Sequence, residues 1–247
     1  MLSKRQQQHI TSLHQKKYRQ QHDHFIVEGD KMAAEALADR PDRLVMAVGT
    51  ENWMQQHQQT LSQTPAEIIT CTDDDMRKIT ALSNPSPVLF VMRPWTADWQ
   101  TAAAKNLVLY CDGIADPGNL GTIIRIAGWF GIAAVICSPD SCEILNPKTV
   151  QSTMGAIYRV PTAVMSLATL HTTLPEHPIF GAVFDGKNVF EVPPPPRGIL
   201  VIGSESHGIR PEAMLLLHER VTIFGRGSTE SLNAAVATGI ICATFRR

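Results

Sequence analysis

Apolar runs of about five residues alternate along most of the chain with longer segments whose apolar positions recur at helical spacing. In the first third, residues 25–27 read as a strand, 31–37 as a helix ended near Pro41, and 44–48 as a second strand. Residues 53–61 read as a helix, 67–70 as a strand, 73–82 as a helix started by Asp or Thr, and 88–92 as a strand. The segment 93–106, RPWTADWQTAAAKN, is polar and lacks a strand pattern, so it is expected to be a linker. Its Trp95 and Trp99 either pack two domains together or lie on the second as surface anchors. From residue 107 the alternation restarts. Strands are expected at 107–111, 133–137, 157–160, 179–184, 198–202 and 221–224. Helices are expected from Asn146-Pro147, over 166–174, and from near Leu232. Repeated strand–helix–strand units imply a mostly parallel sheet covered on both faces. Four consecutive prolines, 193–196, make a stiff extended connection into the strand at 198.

One stretch stands out, YCDGIADPGNLGTIIRIAGWFGI at 110–132, where a strand feeds a helix through glycine-rich turn chemistry. On that helix Arg125 falls off the apolar stripe, with Gly121 and Gly128 on nearly the same side. Glycine in a helix interior costs about 1 kcal/mol relative to alanine, so either something approaches this flank closely or the glycines serve tight helix packing and Arg125 is a solvated charge.

Composition narrows the picture little. The 247 residues suffice for one large or two modest domains, and the net charge of -1 excludes nothing. No apolar run reaches the length of a membrane span and the polar start MLSKRQQQHI is no secretory signal, which points to a cytoplasmic protein. Five scattered cysteines read as buried reduced thiols, and neither they nor the nine histidines show metal-ligand spacing. The net figure hides an uneven distribution: residues 1–20 carry Lys4, Arg5, Lys16, Lys17 and Arg19 and no acid. Such a basic amphipathic segment suits phosphate, or is simply a solvated helix face.

Ligands of an open parallel sheet bind outside the carboxyl ends of its strands. Three turns there are rich in glycine and polar groups: DGIADPGNLG at 112–121, GSESHGI at 203–209 and FGRGSTESLN at 224–233. None matches a dinucleotide or phosphate-loop fingerprint. Glu205, Ser231 and Asn233 suit hydrogen bonding to a ligand, although Ser231 equally reads as the N-cap of the last helix and Asn233 as a first-turn donor. Ser206-His207 beside Glu205 lacks the geometry and the elbow of a hydrolase.

Taken together the three turns resemble the SpoU, or TrmH-like, branch of the SPOUT RNA methyltransferases. DPGNLGTIIR, with Asn119 and Arg125, is similar to the first motif of that family, GSESHGI, with Glu205, to the second, and SLNAAVATGI, with Ser231 and Asn233, to the third, in the same order and spacing. KKYRQQHDHFIVEGDKM at 16–32 resembles the start of the small ribosomal-protein-like RNA-binding domain that often precedes the catalytic one. Phe224 stands where many relatives carry proline. The resemblance implies an RNA substrate-binding domain at 1–92, a linker at 93–106 and a trefoil-knotted α/β SPOUT domain at 107–247 with a parallel sheet. It further implies homodimerisation through the knotted region, and S-adenosyl-L-methionine held by Gly203, Ile223 and Leu232. It places Arg125, Asn119, Glu205, Ser231 and Asn233 in the catalytic machinery, with no metal. The reaction implied is methyl transfer to a ribose 2′-hydroxyl of rRNA or tRNA, rRNA being favoured. A non-catalytic RNA-binding protein on the same fold and a dinucleotide-dependent oxidoreductase are the competing classes.

Overall fold

The computed structural model describes residues 2–228 and 230–247. The chain divides into two compact units, Met1–Thr96 with Leu145–Arg159, and Ala97–Ile144 with Val160–Arg247.

In the first unit the basic opening segment forms two helices. A reciprocal Ser3–Gln6 capping box starts α1 (Lys4–Ser12), and α2 (Lys16–His22) ends where Asp23 turns left-handed. The chain continues through β1 (Phe25–Glu28), α3 (Asp30–Asp39), β2 (Leu44–Thr50), α4 (Glu51–Gln56), α5 (Gln58–Leu61), β3 (Glu67–Cys71), α6 (Asp73–Ile79) and β4 (Val88–Met92). The helix expected over 53–61 is therefore two, broken at His57, whose ring stacks on Trp53 with centroids 3.9 Å apart. The helix expected to reach residue 82 stops at Ile79 because Thr80 is extended. The sheet runs β1-β4-β2-β3; β4 is antiparallel to both neighbours, and β2 and β3 are parallel. Ile10, Leu13, Ile26, Val48, Met76 and Leu89 form its core.

The second unit opens with α7 (Trp99–Ala103), capped by Asp98. Trp99 lies in the hydrophobic core of this unit, so the polar look of 93–106 conceals a core anchor, whereas Trp95 packs in the first unit against Phe25 and Tyr158. Then follow β5 (Leu107–Asp112), α8 (Pro117–Phe130) and β6 (Ala134–Cys137). The next helix, α9 (Pro147–Ser152), belongs to the first unit. The strand expected at 157–160 is absent: residues Ala156–Tyr158 form a 3-10 turn, after positive φ at Met154 and Gly155. Tyr158 is buried there and its hydroxyl donates to the Met32 carbonyl at 3.1 Å, so its apolar run fills a core rather than a sheet. The strand comes later, as β7 (Thr162–Val164), followed by α10 (Leu167–Thr173), β8 (Ile179–Asn188), β9 (Gly198–Gly203), α11 (Pro211–Met214), β10 (Glu219–Thr222) and α12 (Ala234–Phe245). The strand expected at 221–224 thus begins and ends two residues earlier, and leaves Phe224 exposed in the loop.

All neighbours in the order β10-β8-β9-β5-β6-β7 are parallel, as the repeated units require. The central strands β5 and β9 are apolar and buried along nearly their whole length. Cys71, Cys111, Cys137 and Cys242 are buried free thiols, and Cys142 is partly exposed. No helix among the described residues is long and apolar enough to cross a membrane.

Candidate functional site

From β5 the sheet is built outwards in two directions, to β6 and β7 on one side and to β9, β8 and β10 on the other. The crevice outside the carboxyl ends of β5 and β9 is therefore where a ligand site is expected. Asp116 caps α8 by accepting from the Asn119 amide nitrogen at 2.8 Å, and Pro117 occupies the first turn, which fixes Asn119 over that crevice. The Asn119 side chain then bridges the other two motifs. Its Nδ2 donates to the Glu205 carboxylate, and its Oδ1 accepts from Asn233 Nδ2 at 2.9 Å. Asn233 is itself the N-cap of α12, with Oδ1 accepting from the backbone of Ala235 at 3.0 Å and of Val236 at 3.3 Å. Each amide has one orientation that satisfies both ends: a carboxylate only accepts, and a backbone N–H only donates. Three loops far apart in sequence are thus tied by the chain Glu205–Asn119–Asn233.

The second loop is held from below as well. Ser204 and Gly208 exchange backbone hydrogen bonds of 3.1 and 2.9 Å, and Gly208 has φ of 64°. This turn doubles back so closely that a Cβ on Gly203 would lie 2.1 Å from the Gly208 carbonyl carbon, which only glycine tolerates. Arg210 then clamps the loop to the end of β5. Its backbone nitrogen donates to Asp112 Oδ2 at 2.8 Å, its Nε to Oδ1 at 2.9 Å, and its Nη2 to the same oxygen. Asp112 is wholly buried, so this fork is what makes its charge tolerable, and the same hydrogen bonding raises the Arg210 pKa above its ordinary value. Arg210 also pairs with Asp140 at 3.0 Å. Burial, with the nearby Asp112 charge, pushes the Tyr110 hydroxyl up to about 12.

Beside this frame lies a cavity of about 530 Å³. Gly203, Glu205, Ile223, Ser231 and Leu232 all line it. Its wall is mostly apolar, and its only charged lining residues among those described are the carboxylates Glu205 and Glu230. A ligand with a flat apolar ring and net positive charge suits that lining. Asn119 bonds the lining residue Glu205 directly, and Asn233 reaches it through Asn119. Ser231 is exposed in the loop before α12 and does not cap it, because Asn233 takes that position.

Arg125 is elsewhere. It is exposed on α8, has no hydrogen-bond or ion-pair partner among the described residues, and is not part of the cavity wall. It lies six helical positions beyond Asn119, which turns it about 240° around the axis. The structure therefore joins Asn119, Glu205 and Asn233 to one another and leaves Arg125 facing solvent.

Sequence reasoning missed two contributions. Val183 and Phe184 of β8 line the cavity, and their apolar character alone did not separate them from core. Asp112 and Arg210 were also missed, although an acid ending an apolar strand and a cation directly after GSESHGI are both readable signals.

The profile of the SpoU rRNA Methylase family matches residues 106–243, and that of the MRM3-like substrate binding domain matches residues 5–89. The chain is 29% identical over 236 residues to the 23S rRNA (guanosine(2553)-2'-O)-methyltransferase of Bacillus subtilis, covering 93% of this chain and 91% of that one. It is 35% identical over 140 residues to the 23S rRNA (guanosine-2'-O-)-methyltransferase of Salmonella typhi, covering 55% and 58%. Among solved structures, a TrmH-family protein of Porphyromonas gingivalis superposes with a TM-score of 0.83 at 35% identity, over 100% of this chain and 98% of that one. An rRNA methyltransferase of Sinorhizobium meliloti solved with bound AdoMet shares the fold at 23% identity, with a TM-score of 0.89 over 100% and 95%.

Proposed function

The chain belongs to the SpoU rRNA methylase family, and from that premise we propose that it transfers a methyl group from S-adenosyl-L-methionine to a ribose 2′-hydroxyl of RNA, with ribosomal RNA favoured. The observation that carries this reading is the frame Glu205–Asn119–Asn233 beside a cavity whose charged lining, among the described residues, is carboxylate alone. The donor carries a sulfonium and an amino group, and its adenine needs an apolar slot. Ile223 and Leu232 supply the slot, the peptide groups around Gly203 supply hydrogen bonds, and Glu205 and Glu230 supply the charge balance.

When bound, that cofactor contributes a methyl group already attached to a good leaving group. What remains for the protein is to align the 2′-oxygen with it and manage one proton. Asn119, Glu205 and Asn233 hold the loops that frame the acceptor, and Ser231 adds a hydroxyl at the cavity edge. Arg125, exposed and without an ion-pair partner among the described residues, suits a large solvent-borne substrate: it either draws off the hydroxyl proton or stays charged, gripping an adjacent phosphate and stabilising developing alkoxide. A free guanidinium stays protonated up to about pH 12, which favours the second role.

RNA recognition is assigned to the domain of residues 1–92, joined by 93–106 to a catalytic domain at 107–247, in which the trefoil knot of the family is expected. Support for the first assignment is the substrate-binding profile at 5–89. The names of the relatives favour a guanosine of 23S rRNA. Homodimerisation through the catalytic domain is proposed because α12 carries no charge yet exposes Val236, and α8 leaves Trp129 84% exposed. Sedimentation velocity tests it, with a dimer expected for the parent and a shift towards monomer for Trp129→Glu combined with Val236→Glu. A cytoplasmic location follows from the RNA substrate.

Calorimetry with S-adenosyl-L-methionine, paired with methyl transfer to bulk ribosomal RNA, tests the function. Donor binding and transfer are expected for the parent, with transfer reduced about 100-fold or more and donor binding unchanged in Arg125→Ala. Absence of donor binding by the parent would remove the proposal.

A further inference from the structure

In the first unit, α1 and α2 border a groove of about 720 Å³ whose lining includes Arg5, His9, Tyr18, His22 and Met46. Three of these are rings. Tyr18 and His22 are near-parallel, 16° apart with centroids at 6.4 Å, and His9 meets His22 edge to face at 4.8 Å. Tyr18 is half-buried and His22 exposed, so the rings are fixed at one side and open at the other.

Cations surround them. Lys17 Nζ lies 5.7 Å from the Tyr18 centroid, Arg5 lines the groove and is exposed, and no acid precedes Asp23 in the sequence. Arg19 takes no part in this surface, being buried with its guanidinium donating to the Leu13 carbonyl at 2.7 Å. One carboxylate, Glu67, lines the groove and is already bonded to Gln6 Nε2 at 2.7 Å.

Rings beside cations fit a single-stranded nucleotide better than they fit the alternatives. Every base has a π face that stacks on such rings, and each phosphate wants a lysine or arginine. An acidic peptide would use the cations and leave the rings idle. We propose that this groove is a nucleotide subsite: an unpaired base of the RNA stacks on Tyr18 and His22 while Arg5 and Lys17 hold the flanking phosphates. The proposal rests on the reading of residues 1–92 as the RNA-binding domain, and adds the side chains and the unpaired state of the nucleotide they take.

The test uses the full-length protein and a single-stranded RNA of about ten nucleotides carrying one 2-aminopurine, within the span such sites cover. The parent is expected to bind and quench the fluorophore. Tyr18→Ala is expected to lose about tenfold in affinity and most of the quenching, in line with the loss of one stacked base. Tyr18→Phe, which keeps the ring, should bind and quench as the parent does. His22→Ala, an exposed change, should lose several-fold and keeps the test sharp if Tyr18→Ala fails to fold. If both alanine variants bind and quench like the parent, the subsite is overturned while the domain reading stands. If the parent itself binds no RNA, the domain reading fails and the subsite with it.

Discussion

Asn119 shows how much one side chain decides at this site. Its amide satisfies a carboxylate with one end and a helix-capping asparagine with the other, so neither neighbour can relax alone. Asn119→Ala removes both bonds, and because Glu205 and Asn233 are exposed, water takes the freed positions. A loss of only about 0.5–1.5 kcal/mol in stability is expected, with a larger loss in single-turnover rate than in donor affinity. Gly203→Ala acts on the backbone instead: its new methyl meets the Gly208 carbonyl, and an overpacking cost of about 1–3 kcal/mol with weakened donor binding should appear in thermal melts and calorimetry. Arg125→Lys separates the two roles of that cation. Lysine has an accessible titration, so a proton-accepting role predicts transfer rising with pH towards the lysine pKa, whereas a charged clamp predicts a profile with no step near neutrality. At this scale the sequence was legible where residues sit in motifs. The partner of each was not, because hydrogen bonds across 86 and 114 residues leave no local pattern; that Asn233 rather than Ser231 caps the last helix is a local detail of the same kind.

Among the elements, α8 and α12 declare themselves by apolar spacing, yet their starts depend on caps, Asp116 and Asn233, that sit inside functional loops. The run 157–160 departs from its expected strand for a related reason. Its apolar residues are genuine core residues, but Gly155 and Met154 turn the chain, and Tyr158 is spent in the first unit. Arg159 completes that attachment, pairing with Glu35 at 2.5 Å and with Asp39. The segment Leu145–Arg159 is therefore part of the first unit although it lies within the second in sequence. A fragment ending at residue 96 lacks Tyr158 and this ion pair, and is expected to melt at a lower temperature than the same unit in the intact chain. Adding a peptide of residues 145–159 should raise its melting temperature; no effect would show that the segment contributes nothing to that core. Asp112 and Arg210 play the equivalent role in the second unit. Asp112→Asn should cost about 2–3 kcal/mol, less than the 3–5 of a fully enclosed pair because Arg210 is a third exposed, and Arg210→Lys should recover only part of the loss of Arg210→Met.

For the whole molecule, two histidines set an acid limit. Burial, reinforced by neighbouring His22, holds His9 below its ordinary pKa; burial, reinforced by His9 and Arg93, does the same for His24. The unfolded chain then binds more protons than the folded one below the ordinary value of 6.5. Stability is complete above that pH, falls as pH drops through it, and levels off once the folded-state values are passed. Replacing both by asparagine should flatten the pH dependence of urea midpoints between about 5 and 7, and an unchanged slope would assign it to other groups. The parallel sheet of the second unit follows from the alternation in the sequence. The placement of 145–159 does not, since continuity of chain says nothing about which core a segment fills.

The proposed activity is methylation of a ribose of RNA. Mapping 2′-O-methylation across ribosomal and transfer RNA in cells with and without the protein tests it most directly. One ribose mark, in ribosomal RNA, is expected to disappear with the protein, to return with the parent chain and to fail to return with Arg125→Ala. Identical maps in both cells, or loss of a methyl group from a base instead of a ribose, would contradict it.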